Sequence, residues 1–193
     1  MIWFVDVRFV PLYNGTHVGM PMNPEIKARL SASIQGFSLP AYEEIPDVGL
    51  YLEQTAKYIS DCLAPLEQGP VTGSMISNYV KKGLIASPVK KQYSRDQIAY
   101  LFFIAVAKNT ISIDNLRRMI HIQQSTYALP VAYRYVCSEF DNVLKYVFGV
   151  KDTLDTVGVE SSDEKYMLRS VITAVAHKAY LDKLCAALSG EDE

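Results

Sequence analysis

The sequence predicts an all-α protein that carries one small β-hairpin. Apolar residues recur every three or four positions along most of the chain, and Ser, Thr and Gly residues stand where helices should begin and end. After residue 21, extended patterning is confined to residues 85–94. The chain has 193 residues, of which 49% are hydrophobic and 21% are charged, as is typical of a soluble globular protein.

The first helix is expected at about residues 47–64. Its inner face follows spacings of four, four, three and four: Val48, Leu52, Ala56, Ile59 and Leu63. Pro65 and the Gly- and Pro-containing segment after it should end this helix.

The second helix is expected to begin after Thr72, a good N-cap, and to end at Gly83, a good residue for a helix C-terminus. The residues predicted to face inward are Ile76, Tyr79, Val80 and Gly83. The following segment, "LIASPVKKQY", predicts two short extended pieces around a Ser87–Pro88 turn.

Two further helices are predicted between residues 94 and 121. Ser94 and Gln97 have the spacing of a capping box, and Ser112 can cap a short helix after the interruption at residues 109–110. The predicted buried positions are Ile98, Leu101, Phe102 and Ala105 in the first of these helices and Ile113, Leu116 and Ile120 in the second.

The last third of the sequence predicts two longer helices joined by a polar connector. One has Pro130 near its first turn and ends at Gly149, and the other covers about residues 163–188. Their apolar stripes include Phe140, Leu144 and Val147 in the first helix and Leu168, Val171, Ile172, Val175 and Leu184 in the second.

Three parts are therefore predicted along the chain: an extension (1–44), a compact region (45–122) and a C-terminal helical region (123–193). Two alternatives stay open for residues 1–21. Their alternating apolar residues are compatible with a short strand, and translation from Met20 or Met22 would make this stretch non-native.

The helix at 72–83 has a polar face opposite its apolar one. Ser74, Ser77, Asn78 and Lys81 are spaced at i, i+3, i+4 and i+7, and each carries a hydrogen-bonding side chain. Hydroxyl and amide groups can contact base edges in the DNA major groove, and Lys81 and its neighbour Lys82 can reach phosphates or guanine.

Positive charge is concentrated around the same helix. The chain carries a formal charge of −2, yet residues 68–95 contain no Asp or Glu and five basic residues: Lys81, Lys82, Lys90, Lys91 and Arg95. The rest of the chain then has 14 basic residues against 21 acidic ones. Such segregation orients a protein towards a polyanion, so we predict double-stranded DNA as the partner.

The residues from this helix onwards resemble the DNA-binding domain of the MerR family of transcriptional regulators. The shared order is a helix closing on "NYVKKGLI", a Pro-containing basic wing ending in Tyr, a Ser-capped helix and the short helix "TISIDNLRRMI". The resemblance covers roughly residues 47–121. It implies a winged helix-turn-helix in which Lys90 and Lys91 contact the DNA backbone, while Tyr93 either touches phosphate or packs under the wing.

A longer stretch, most of residues 35–180, is similar to a bacterial family known as a domain of unknown function (number 1836). The similarity is carried by "LPAYEEIPDVGLYLEQTAKYISDCLAPL" and "YSRDQIAYLFFIA". Membership implies a regulator with a MerR-like head and without a characterised effector. Unlike MerR proteins, this chain has about 45 residues before its first DNA-binding helix and few arginines in its recognition helix, so we expect weaker binding or a different base preference.

Several expectations about partners follow. Specific operators usually require a two-fold dimer, so we expect homodimerisation through the stripes at 131–148 and 163–188, which can also pack on each other within one chain. Arg117 and Arg118 either contact phosphates or lie on a solvated face. Aromatic residues of the last third either fill the core or line an effector pocket: Tyr127, Tyr133, Tyr135 and Phe140.

The alternative function is a helical protein-interaction adaptor whose basic wing meets an acidic partner instead of DNA. Catalysis is not expected, because the three histidines stand apart and no known catalytic motif occurs. The three separated cysteines predict neither a disulfide framework nor a metal site, and no cofactor is expected. Without a long apolar run or a basic leader, the chain is expected to be cytoplasmic.

Overall fold

The computed structural model describes residues 23–158 and 162–189. This part of the chain is mostly helical, as predicted, and also contains two very short strands. The elements in chain order are α1 (Pro24–Ser33), β1 (Leu50–Tyr51), α2 (Leu52–Leu63), α3 (Gly73–Lys81), β2 (Gln92–Tyr93), α4 (Arg95–Ala107), α5 (Ile113–Thr126), α6 (Leu129–Val147) and α7 (Asp163–Ser189). The two alternatives for residues 1–21 lie outside the described residues.

The helix caps that the sequence predicts are present. The hydroxyl of Thr72 accepts a hydrogen bond from the Met75 amide at 3.2 Å, and that of Ser112 accepts one from the Asn115 amide at 3.2 Å. Ser94 and Gln97 form a reciprocal capping box at the start of α4. Each cap satisfies backbone amides that a helix start leaves without a partner, which explains why local sequence places these three starts correctly.

The small sheet differs from the predicted hairpin. Its two strands are antiparallel, and Leu50 pairs with Tyr93 while Tyr51 pairs with Gln92. The wing strand β2 is therefore joined to the residues before α2. The tight turn lies at Lys90–Lys91, not at Ser87–Pro88, and the isolated bridge between Val89 and Gln92 closes it.

The same pairing corrects the start of the first predicted helix. The chain is extended at Tyr51, whose amide donates to the Gln54 side chain at 2.9 Å, and α2 begins at Leu52. Val48, predicted to face inward, is 83% exposed. Ala56 and Ile59 are buried as expected.

Gly83, which was predicted to face inward, is exposed. Its positive φ of 70° ends the α3 segment and turns the chain away.

Helix α1 was not predicted, because it buries little of its own surface. Leu30 is its buried residue, and Asn23 caps its start. The segment after it contributes Ile34, Phe37 and Leu39 to the core. The Ser31 hydroxyl also donates to the Phe148 carbonyl at 2.6 Å, so that the N-terminal helix is fixed against the end of α6.

One hydrophobic cluster runs through the described residues, from Leu30 in α1 to Ala179 in α7. Its largest fully buried side chains include Phe102, Phe140 and Phe148. The positions predicted to be buried in α4 (Ile98, Leu101, Phe102, Ala105) are all in this core.

None of the helices in the described part of the chain combines the length and the apolar composition that crossing a membrane requires.

Two buried charges tie α7 to the rest of the molecule. Glu139 of α6 is fully buried and accepts two hydrogen bonds from Arg169, which also donates to the Asp155 carbonyl at 2.8 Å. The hydrogen bond with Glu139 raises the pKa of Arg169. Lys183 of α7 is buried and donates to Glu67 in the connection between α2 and α3. Pairing offsets the cost of placing these charges in the core.

Candidate nucleic-acid interface

Helix α3 presents the polar face that its sequence predicts. Ile76 and Tyr79 are buried, at 0% and 5% exposure, and the helix packs on α2. The opposite face is exposed and consists of Ser74, Ser77, Asn78 and Lys81. Lys82 follows as the C-cap and is also exposed. The remaining helices leave this face uncovered, so its hydroxyl, amide and ammonium groups are accessible together.

The turn at Lys90–Lys91, here called the lysine turn, has an uncommon backbone. Both residues have positive φ, 48° and 65°. Two hydrogen bonds close the turn: the Val89 amide donates to the Gln92 carbonyl at 3.2 Å, and the Gln92 amide donates to the Val89 carbonyl at 2.9 Å. Positive φ at both central residues is the type I′ geometry that normally selects Asn-Gly. Lysines here carry backbone strain.

The lysines of this region are unpaired, in contrast to five lysines elsewhere in the described residues. Lys81, Lys82, Lys90 and Lys91 are exposed, and within residues 23–158 and 162–189 they form no ion pair or side-chain hydrogen bond. The ion-paired lysines lie outside this region: Lys57 with Asp61, Lys145 with Asp141, Lys151 with Asp155, Lys178 with Asp182, and Lys183 with Glu67. Four positive charges are therefore left without internal compensation on one segment.

Two other residues predicted to contact DNA, Tyr93 and Arg95, are not part of this exposed surface. Tyr93 is 4% exposed and packs into the core under the lysine turn, where burial raises the pKa of its phenol. Arg95 is half-buried: its Nε donates to the Ile45 carbonyl at 2.9 Å, and its guanidinium stacks over the Tyr42 ring at 5.5 Å. It also lies 3.8 Å from an Asp47 carboxylate oxygen. Both side chains are thus engaged internally and are separate from the exposed lysines.

A cleft adds residues that local sequence patterns did not bring together. It separates residues 83–86, which follow α3, from the exposed Arg117, Arg118 and His121 of α5. We call it the basic cleft. Arg117 is ion-paired with Asp114, also in the wall of the cleft. Arg117 and Arg118 precede His121 by four and three residues on the same helix, so helical spacing already makes these three side chains neighbours, and the packing of α5 beside the end of α3 adds the opposite wall.

The exposed face of α3, Lys82 and the lysine turn together form what we call the candidate interface. Residues 40–136, about half of the chain, match the family model described as Domain of unknown function (DUF1836). The chain belongs to this family. The DUF1836 segment extends from before β1 into α6, so it contains the whole candidate interface and the basic cleft. Searches of curated proteins and of solved structures gave no match.

Within the described residues of this DUF1836 protein, no group of three or more His, Cys, Asp or Glu side chains could hold a metal ion. The interface is built instead from donors and cations on a rigid helix and a tight turn. Hydroxyl and amide groups can exchange hydrogen bonds with base edges, and ammonium groups can neutralise phosphates. That chemistry suits a nucleic acid better than a small neutral substrate.

Proposed function

We propose that this DUF1836 protein is a cytoplasmic transcriptional regulator that binds double-stranded DNA through a MerR-like winged helix-turn-helix. In this proposal α2 and α3 form the helix-turn-helix, α3 enters the major groove, and the lysine turn contacts the backbone of the flanking DNA. The observation that carries the proposal is the set of four unpaired, exposed lysines at residues 81–91, which follow the hydrogen-bonding face of α3 along the chain.

The roles of the residues follow from their chemistry. Ser77 and Asn78 stand mid-helix on the exposed face, where amide and hydroxyl groups can contact base edges. Lys81 and Lys82 at the end of α3 would contact phosphates or guanine. The lysine turn would fix the register of the protein on the duplex, because phosphate contacts position a protein without carrying sequence information.

We further propose that the protein binds its operator as a homodimer. A two-fold dimer matches a palindromic site and doubles the number of base contacts. Helix α7 supports this with three exposed apolar residues that a dimer contact would cover: Tyr166, Leu181 and Leu188, at 76%, 56% and 68% exposure.

The test is a selection of random duplexes by the purified protein, followed by titrations of the selected duplex at several salt concentrations. Specific enrichment and a steep fall of affinity with salt are expected, because each neutralised phosphate adds about 0.9 to the log–log slope. Absence of any selected sequence, together with binding to an acidic polypeptide such as poly-glutamate, would favour the adaptor function instead. Light scattering on the same sample checks the dimer.

A further inference from the structure

A second concave site lies on the other side of α5 from the basic cleft. It is a cavity of about 250 Å³ bounded by α4, α5, α6 and α7. Its walls are mainly apolar and rich in aromatic side chains, among them Tyr100, Phe103, Tyr127, Tyr133 and Tyr135. Phe140, by contrast, is 1% exposed and belongs to the core.

We propose that this cavity binds a small planar apolar molecule of one or two rings, and that its occupation alters the basic cleft. The second half of this statement rests on the proposed function. A cavity of about 150 Å³ lined by apolar side chains holds benzene, so about 250 Å³ has room for a two-ring molecule. Aromatic walls favour planar rings through offset and edge contacts.

The polar atoms of the wall explain why the ligand should be apolar. The Tyr100 hydroxyl donates to the Gln123 side chain at 2.8 Å, and the Gln123 amide donates to the Tyr127 carbonyl at 2.8 Å. The Lys165 ammonium lies 5.4 Å from the centre of the Tyr135 ring. The Tyr100, Gln123 and Lys165 groups already have partners inside the protein, whereas the Tyr133 hydroxyl is buried without a hydrogen-bond partner among the described residues. A ligand with many polar groups would therefore be costly to desolvate.

The rim of the cavity offers a route of entry. Ile122, Tyr127 and Val131, at the junction of α5 and α6, line the cavity and are 36%, 39% and 54% exposed. The opening therefore leads from solvent past apolar side chains into the enclosed part. A cavity bounded by four helices suits a small molecule better than the flat contact of a second copy of the chain.

Helix α5 connects the two sites. Met119, Ile120 and Gln123 face the cavity, whereas Arg117, Arg118 and His121 line the basic cleft, and Ile120 contributes to both walls. A ligand that presses on Ile120 acts on the helix that carries Arg117 and Arg118, and the coupling requires that these arginines contact phosphates of the bound duplex. Coupling requires that the ligand bind one arrangement of α5 more tightly than another. Filling the cavity should then change the affinity for DNA.

The experiment uses the full chain labelled with ¹³C at its methionine methyl groups, with 1-naphthol as the probe. Met119 and Met167 line the cavity, whereas Met75 lies on α3 and serves as an internal reference. Intermolecular NOEs from 1-naphthol to Met119 and Met167, without NOEs to Met75, are expected. Absence of these NOEs at saturating 1-naphthol overturns the cavity proposal.

Variants refine this result. Ala132→Trp places a large ring in the cavity wall and should abolish the NOEs, whereas Ala187→Trp, at a half-buried α7 position outside the cavity, should retain them. Retained NOEs in a folded Ala132→Trp variant would contradict the site. So would NOEs between labelled and unlabelled chains at Met119 or Met167 without 1-naphthol, because the occupant would then be a second copy.

The coupling is measured as the affinity for the selected duplex with and without saturating 1-naphthol. A change of about fivefold or more is expected in the parent and none in Ala132→Trp. NOEs without any duplex binding would leave the cavity proposal standing and remove the proposed function. Duplex binding that is indifferent to a probe seen by NOE would overturn the coupling through α5.

Discussion

The buried ammonium of Lys183 on α7 donates a hydrogen bond to the carboxylate of Glu67, which is 63% exposed in the connection between α2 and α3. Glu67 has a positive φ of 54°, so the pair fixes a strained point of the chain six residues before α3 begins. The C-terminal helix is thereby attached to the support of the candidate interface.

Removing the carboxylate of Glu67 should destabilise the protein more than removing the buried charge of Lys183. Glu67→Ala leaves Lys183 charged and unpaired inside the protein, and we expect it to lower the free energy of unfolding by about 1–3 kcal/mol. Lys183→Met keeps the apolar stem without the charge and should cost less. Urea denaturation of both variants checks the order, and the reverse order would contradict this account of the pair.

The lysine turn should contribute phosphate contacts. Lys90→Ala combined with Lys91→Ala is expected to reduce the log–log dependence of DNA affinity on salt by about 2, because two phosphate contacts are lost. Fluorescence polarisation at four or more salt concentrations measures this slope.

The matched control is Lys57→Ala combined with Lys178→Ala. It removes the same charge from two ion-paired lysines outside the interface and should leave the slope nearly unchanged. Equal slopes for both double variants would mean that net charge, and not the lysine turn, governs binding.

Strain in the lysine turn should be separable from its charge. Lys90→Asn combined with Lys91→Gly supplies the residues that type I′ turns favour, so we expect the free energy of unfolding to rise by about 1 kcal/mol while DNA affinity falls. The double alanine variant loses the same charge but keeps the unfavourable φ values, so it should lose affinity without gaining stability. Thermal denaturation of the three proteins decides this.

Asn78 should influence which sequence is bound. Asn78→Ala is expected to cost about 1–3 kcal/mol on the best duplex and to relax the preference at one base position. Asn115→Ala, an exposed amide on α5, is the control and should retain the parent profile. A selection from random duplexes with each variant gives the comparison, and an unchanged profile for Asn78→Ala would refute a base contact.

The thiols of Cys137 and Cys185 should differ in reactivity. Burial raises the pKa of Cys137 to about 11, and its thiol also donates to the Pro40 carbonyl at 3.7 Å. Cys185 is exposed. Because a raised pKa keeps Cys137 protonated at pH 8, iodoacetamide should modify Cys185 at least about tenfold faster. Peptide mass spectrometry over time measures both rates, and raising the pH towards 11 should narrow the gap.

Sequence predicted best those features that a few neighbouring residues determine. The Ser94–Gln97 box and the Thr72 cap were located correctly because each is a hydrogen bond between residues three apart. The exposed face of α3 followed equally from helical spacing, since Ile76 and Tyr79 occupy the opposite side.

Predictions from the sequence were wrong or incomplete where residues distant in the chain determine the local structure. Val48 fits a helical stripe, but pairing of Leu50 with Tyr93 holds the adjacent chain extended. From the sequence, Arg95 adds one positive charge to the segment. In the structure its Nε donates to the carbonyl of Ile45, which is 50 residues earlier in the chain. The basic cleft brings residues 83–86 opposite α5 through tertiary packing, a relationship that no spacing along the chain encodes.

The pairing of β1 with β2 also has a consequence for the order of folding. Its partners are about 40 residues apart, and α2 and α3 both lie between them, so the loop that the pairing closes is long. The two strands are too short to meet before those helices have formed and docked. During synthesis, the final placement of Lys90 and Lys91 should therefore be among the last events in this region.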